Sequence, residues 1–281
     1  MSDVIDIALE TGTEEVLPGN YRNITPQDTA IIQAKTERKA IIAALDSGTL
    51  ACLPGKDGFA DTQAATNVVN NTLYHGSSQL ILKEFQHRNG FPTAEYCTQE
   101  QIEKASNHAG KKIYIKNGSH GVTLNFLIEG EQKSVRLFNL AQIQNPEGIK
   151  SYAVFLAENR ENYLKERYGN NYHPSTVTGT GTTITCSSTK PDVYLGEYLA
   201  AISTNGKFRA SPEQAAEFSA KTKEFIFTRN EAGHINPFNL SRLGGQASKY
   251  CKEILPQIGE NTPAKAPEYT HTLSQDQDIG R

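Results

Sequence analysis

Tryptophan is missing from this 281-residue chain, methionine occurs once, and the four cysteines stand far apart. Cys52, Cys97, Cys186 and Cys251 form no CxxC pair, which excludes a zinc ribbon. No apolar run approaches the roughly 18 residues that a membrane span needs. The first residues, MSDVIDIALETGTEEV, lack the basic start and apolar stretch of a secretory signal. The expected setting is therefore the cytoplasm, with reduced thiols and no membrane contact. None of the seven histidines stands four residues from another, so a metal-binding HExxH helix is absent. The run TGTGTT at 178–183 lacks the Gly-Lys-Ser/Thr ending of a phosphate loop and reads as a linker. Cys97 and Cys186 have no histidine partner in the sequence, and no carboxylate pair stands out. The expectation is a protein with no cofactor, no metal and no catalytic centre, hence not an enzyme.

What is present is polar and unevenly charged. The apolar fraction is 37%, the charged fraction 21% and the net charge −3. Residues 1–30 hold six acids and one base, whereas 104–138 hold six bases and two acids. Local charge, not the total, is what a polyanion feels.

The hydrophobic pattern predicts α+β: helices around a small antiparallel β-meander, followed by a mostly helical C-terminal section. Residues 1–24 read as an acidic, poorly ordered arm. Thr25 caps a helix with Pro26 in its first turn, and Gly48 ends it. A second helix runs from about Ser77 to Arg88, with Ser77 or Ser78 as cap. FPTAEYC is extended, and Thr98 with Gln101 opens a third helix by a capping pattern. From Lys111 the period becomes two. Asn117-Gly118 and Glu129-Gly130 divide the run into three strands. Ile113, Ile115, Val122, Leu124 and Phe126 face a core. Lys112, Tyr114 and Lys116 share the opposite face. The first domain is placed at 25–145 and a mostly helical section at 146–258. A flexible loop is expected near 170–192, and the chain from Pro256 is Pro-, Gln- and Asp-rich and reads as loose, with the tail itself placed at 259–281.

Two stretches carry the functional expectations. NVVNNTLYHGSSQLIL, 67–82, sets Asn67, Asn70 and Asn71 before Tyr74 and Gly76. It reads as a loop that brings a tyrosine and several amides to a helix N-terminus. Such a place suits an anion or a nucleic-acid backbone, or is an ordinary loop with Tyr74 packed inward. KKIYIK, 111–116, interleaves cations with an aromatic ring, the combination that serves exposed phosphates and bases of a single strand. Lys83 and Arg88 on the second helix, and Arg136 and Lys133 on the last strand, extend the positive charge.

Several of these pieces occur in an order that resembles the N-terminal domain of ArdC-type antirestriction proteins, over about Ile31 to Ile143. The series runs from ALDSG through Asn67, Tyr74 and Gly76 to NGFPTAEY. It continues with Thr98 and Gln101, KKIYIKNG, and RLFNLAQI with Phe138, Asn139 and Gln142. Four positions depart from the family pattern. Asn70 stands for Thr, Ser78 for Asn and Tyr96 for Trp, and Asn117 separates Lys116 from Gly118. The peptidase-like domain with HExxH that many members carry is not matched.

The resemblance implies a single-stranded-DNA-binding protein of a plasmid or phage, acting in antirestriction or in protection of incoming DNA. The implied contacts are Asn67, Tyr74, Gly76, Lys83, Arg88, Lys111, Lys112, Tyr114, Lys116 and Arg136. Single-stranded DNA is the first partner, with duplex DNA beside it. The alternative is a protein-interaction module that inhibits a host restriction or defence enzyme. Its acidic arm (Asp3, Asp6, Glu10, Glu14, Glu15) would enter a basic groove on that enzyme.

Overall fold

A computed structural model describes residues 26–128, 131–168 and 181–260. The acidic arm, the tail beyond Glu260 and residues 169–180 of the expected loop lie outside them, as does the Thr25 cap.

Seven helices and nine strands follow in chain order among the described residues. Helix α1 is Pro26–Asp46, and strands β1 (Thr66–Asn67) and β2 (Thr72–Leu73) flank the asparagine turn. Helix α2 is Ser77–Arg88, β3 is Glu95–Thr98, and α3 is Gln99–Ala109. Then come β4 (Tyr114–Ile115), β5 (Val122–Ile128), β6 (Glu131–Asn139), a 3₁₀ turn Leu140–Gln142, and β7 (Ile143–Gln144). The remainder is α4 (Pro146–Tyr168), β8 (Thr183–Thr185), α5 (Pro191–Ser203), β9 (Lys207–Arg209), α6 (Pro212–Ile226) and α7 (Asn239–Glu260). The class is α+β, as the pattern predicts.

A five-stranded sheet, ordered β2-β1-β3-β6-β5, divides two cores. Only β1 and β3 run parallel within it. Successive side chains on a strand point to opposite faces. Tyr96 and Leu137 therefore enter one core, while their neighbours Cys97 and Phe138 enter the other. The first core joins Ile41, Leu82, Tyr96 and Leu124 to Tyr194, Tyr198, Phe208 and Leu243, so helices after Pro191 share it with α1 and α2. Tyr194 stacks on Phe218 with ring centroids 4.0 Å apart. The second core gathers Ile102, Ile113, Phe138, Ile143 and Ile149 beneath α3 and the start of α4.

Four local expectations are corrected. The three-stranded meander is a β5–β6 hairpin; β4 turns away and pairs with β7, Tyr114 opposite Gln144. The reason is burial: pairing with β7 sets Ile113 and Ile143 together in the second core. Lys116 N extends the ladder to Gln142 O at 2.8 Å. The loop expected through 192 contains β8, a parallel partner of β9 that seats Ile184 opposite Phe208. Helix α7 runs through Pro256, because Ile254, Leu255 and Ile258 pack on the first core and hold the last turns. Finally, α2 is capped by neither serine. Gly76 is the N-cap, at φ 57° and ψ −135°, with no side-chain cap bond. The side chains of Phe126 and Lys133 lie outside what is described.

Candidate nucleic-acid interface

The asparagine loop is a hydrogen-bonded staple. Asn67 Oδ1 accepts from Val69 N at 3.0 Å and Asn70 N at 3.3 Å, closing the turn between β1 and β2. Its amide also pairs with that of Gln101: Asn67 Nδ2 donates to Gln101 Oε1 at 3.1 Å, and Gln101 Nε2 donates to Asn67 Oδ1 at 3.2 Å. Gln101 is the third residue of the Thr98 capping box, so the turn is tied to the N-terminus of α3. A further donation from Asn67 Nδ2 reaches Tyr74 Oη at 3.3 Å. Tyr74 packs against the first core, and burial pushes its hydroxyl pKa up to about 12. Of the two readings of this loop, the inward one describes Tyr74.

Gly76 is buried where α7 crosses the start of α2. A Cβ there would lie 2.8 Å from Gly244 O and 2.9 Å from Ser248 Oγ. The positive end of α2 therefore meets another helix rather than an open surface. Gln79, fully buried in the first turn, completes the joint. Its Nε2 donates to Ala65 O at 2.9 Å and Tyr74 O at 2.6 Å, and its Oε1 accepts from Ala65 N at 2.8 Å. Sequence reasoning missed Gln79. The available signal was an amide inside the apolar stripe Leu80, Ile81 and Phe85.

Lys83 does not stand on an exposed helix face as expected. Its side chain is 3% exposed, with Nζ 2.5 Å from Asp61 Oδ2. Arg88 is exposed, but its guanidinium spans the Phe85 ring at 5.9 Å and approaches Glu84 at 3.5 Å. Neither offers an uncommitted cation.

The KKIYIK strand differs in kind. Its backbone is clamped from both sides while its cations face solvent. Ser106 Oγ donates to Lys111 O at 3.0 Å and accepts from Ile113 N at 3.1 Å. Asn145 Nδ2 donates to Lys112 O at 3.0 Å. Ile113 is buried beneath, and Tyr114 on the opposite face is 44% exposed. Lys112 Nζ stands 5.5 Å from the Tyr114 ring centroid. Lys116 Nζ donates to Ala141 O at 2.8 Å. Arg136 is exposed on β6, its stem against Gly121 at the end of the 116–121 turn. Among the described residues Lys111, Lys112, Lys116 and Arg136 form no ion pair, whereas Lys104, Lys150, Lys165, Lys221 and Lys223 are each held by a carboxylate. No acid occurs from 104 to 128. The arrangement holds a ring and several uncompensated cations at fixed backbone positions.

Of the ten residues predicted for the interface, the structure gathers Lys111, Lys112, Tyr114 and Lys116 on β4 and its flanks. Arg136 stands beside the turn that follows. It draws Asn67, Tyr74, Gly76 and Lys83 into the packing of the fold.

Among the described residues, no group of three or more His, Cys, Asp or Glu stands close enough to hold a metal ion. Glu197, buried in α5, accepts from Ser187 N at 3.0 Å and from Ser187 Oγ. Burial raises its pKa and the Ser187 bonds oppose the rise. The carboxylate ties the β8–α5 loop to its helix. None of the described helices is long and apolar enough to cross a membrane.

No family model and no curated protein matches the chain. Two crystal structures of the antirestriction protein ArdC from plasmid R388 are similar to it. The Mn(II)-bound form is 15% identical with a TM-score of 0.48, covering 82% of this chain and 98% of that one. The metal-free form is 14% identical with a TM-score of 0.46, covering 81% and 98%. The likeness is one of fold, to the antirestriction protein ArdC of plasmid R388.

Proposed function

We propose that this protein binds single-stranded DNA through the KKIYIK strand, in the service of antirestriction or of protecting incoming DNA. The observation that carries the reading is Tyr114. It is an exposed aromatic ring beside Lys112, on a clamped strand whose cations have no carboxylate partner among the described residues. A base stacked on such a ring contributes about 1–3 kcal/mol. Lys111, Lys112, Lys116 and Arg136 meet phosphates. These contacts release counterions, so affinity falls steeply with salt and depends little on sequence. A duplex hides its base faces and gains only the phosphate term. The antirestriction role is supported by the ordered sequence series that resembles ArdC-type N-terminal domains.

The test is fluorescence anisotropy with a labelled strand of about 30 nucleotides and its duplex, at several salt concentrations. Single-strand preference that weakens with salt and survives a chelator supports the reading. No binding at low salt ends it.

One feature favours the second reading, a module that inhibits a host restriction or defence enzyme through protein contact. Helix α4 exposes Val154, Phe155 and Tyr163. Direct binding of a purified restriction endonuclease, lost in Phe155→Ser, would select this reading, provided strand binding is absent.

A further inference from the structure

A cavity of about 450 Å³ opens between the 48–61 segment and the C-terminal half of α2. Its walls include Leu53, Phe59, Asp61, Lys83, His87 and Phe91. The volume falls within the roughly 300–1,000 Å³ usual for small-ligand sites.

Lys83 gives the cavity its chemistry. An ammonium has three N–H donors and, once removed from water, needs acceptors for them. Among the described residues Lys83 bonds Asp61 alone. The remaining donors belong to a side chain that lines the cavity. Asp61 is fixed from several directions: its Oδ1 accepts from Gln63 N at 2.9 Å, and its carbonyl accepts from Tyr198 Oη at 2.8 Å. Its side chain is nonetheless 53% exposed. The wall thus presents a donor beside an acceptor, and their charges cancel. This suits a neutral group with an acceptor next to a donor better than a bare anion. The edges of nucleobases carry that pattern. The phenyl rings of Phe59 and Phe91 suit a planar heterocycle. Lys207 Nζ and Arg209 Cζ stand 5.5 and 5.8 Å from the Phe59 ring centroid, and both side chains are exposed. A phosphate on the sugar attached to the base would meet positive charge there.

We infer that this cavity binds a nucleotide, its base against Lys83 and Asp61 and its phosphate toward Lys207 and Arg209. The site goes beyond the KKIYIK surface and shares no residue with it. The nucleotide is free, or is one unit of a strand; the base and phosphate chemistry is the same.

The experiment is calorimetric titration of the full chain with each deoxynucleoside 5′-monophosphate and with deoxyribose 5-phosphate. Saturable binding of at least one mononucleotide is expected, with the sugar phosphate weaker by about tenfold or more. Asp61→Asn, which keeps the side chain's shape, weakens binding by about tenfold. Phe91→Leu weakens it too, and is a second variant should the first fail to fold. No saturable binding by any mononucleotide overturns the inference. So does equal binding of the sugar phosphate, or unchanged binding in both folded variants. Displacement by an oligothymidylate of about 12 nucleotides assigns the base to a strand, and persistence assigns it to a free nucleotide; either result upholds the cavity. Mononucleotide binding in a protein that holds no strand upholds the cavity and ends the surface reading alone.

Discussion

A Cβ on Gly244 would lie 2.3 Å from Ser77 N, and one on Gly76 would lie 2.8 Å from Gly244 O. Two glycines thus bring α7 onto the start of α2. Gly244→Ala forces these helices apart and is expected to cost about 1–3 kcal/mol. Gly76→Ala adds the strain of a positive φ and costs at least as much. Gly245, next in the chain, has nothing within 4 Å of its Cβ position. Gly245→Ala is expected to stabilise α7 by about 0.5–1 kcal/mol. Urea unfolding midpoints of the three variants check these opposite signs.

Tyr74 and Tyr114 should separate by readout. Tyr74→Phe removes the oxygen that Asn67 Nδ2 reaches and should lower stability by about 0.5–1.5 kcal/mol. The affinity of its folded form for DNA stays as it was. Tyr114→Ala should leave the unfolding midpoint within about 0.5 kcal/mol of wild type. Its strand affinity should fall by about 1–3 kcal/mol. Paired unfolding and anisotropy measurements on both variants decide the matter.

The salt dependence should report the cations one at a time. Each phosphate contact to a single strand contributes about −0.7 to the slope of log K against log salt. Lys112→Ala and Lys116→Ala should each make the slope shallower by about that amount. Lys104→Ala should leave the slope unchanged, because Lys104 Nζ is held 2.8 Å from Glu100 Oε1.

Glu37 gives stability a pH dependence near neutrality. Burial pushes its carboxyl pKa from 4.5 up to about 7, against the opposing bond from Gln33 Nε2. The folded state therefore binds more protons than the unfolded state between these values. Stability should fall as pH rises through that window, by about 1–3 kcal/mol in all. Glu37→Gln should flatten the profile and be the more stable protein at pH about 8. Thermal or urea unfolding from pH about 5 to 8 checks the sign.

Local signals in the sequence translate directly into structure where both partners lie within one turn. Thr98 and Gln101 form the expected capping box, and Ser211 and Gln214 form one of the same local kind around Pro212. The period-two run fixes which face Tyr114 and Ile113 take, because alternation is a property of the strand itself. It does not fix the strand's partner. Ile115 pairs with Ile143, 28 residues on, through a core that no local pattern reveals. Lys83 misleads for the same reason. Its type predicts solvent, and the carboxylate that compensates its burial, Asp61, lies 22 residues earlier. The residues that carry the family resemblance, Asn67, Gly76, Gln101, Asn139 and Gln142, act as turn, cap and close-packing positions. Asn139 and Gln142 form another capping box, and Gln142 Nε2 also donates to His120 O at 2.9 Å. Gln142 O in turn accepts from Lys116 N at 2.8 Å, which ties the β4 segment to this turn, and the exposed residues of that segment are those of the proposed contact.

The most direct measurement is photo-cross-linking of the full chain to a single strand containing 4-thiothymidine, with the linked peptides mapped by mass spectrometry. The account predicts cross-links on peptide 113–116, which contains Tyr114, and their loss as salt rises. Cross-links confined to the Tyr74 segment, with none between residues 104 and 121, would contradict it.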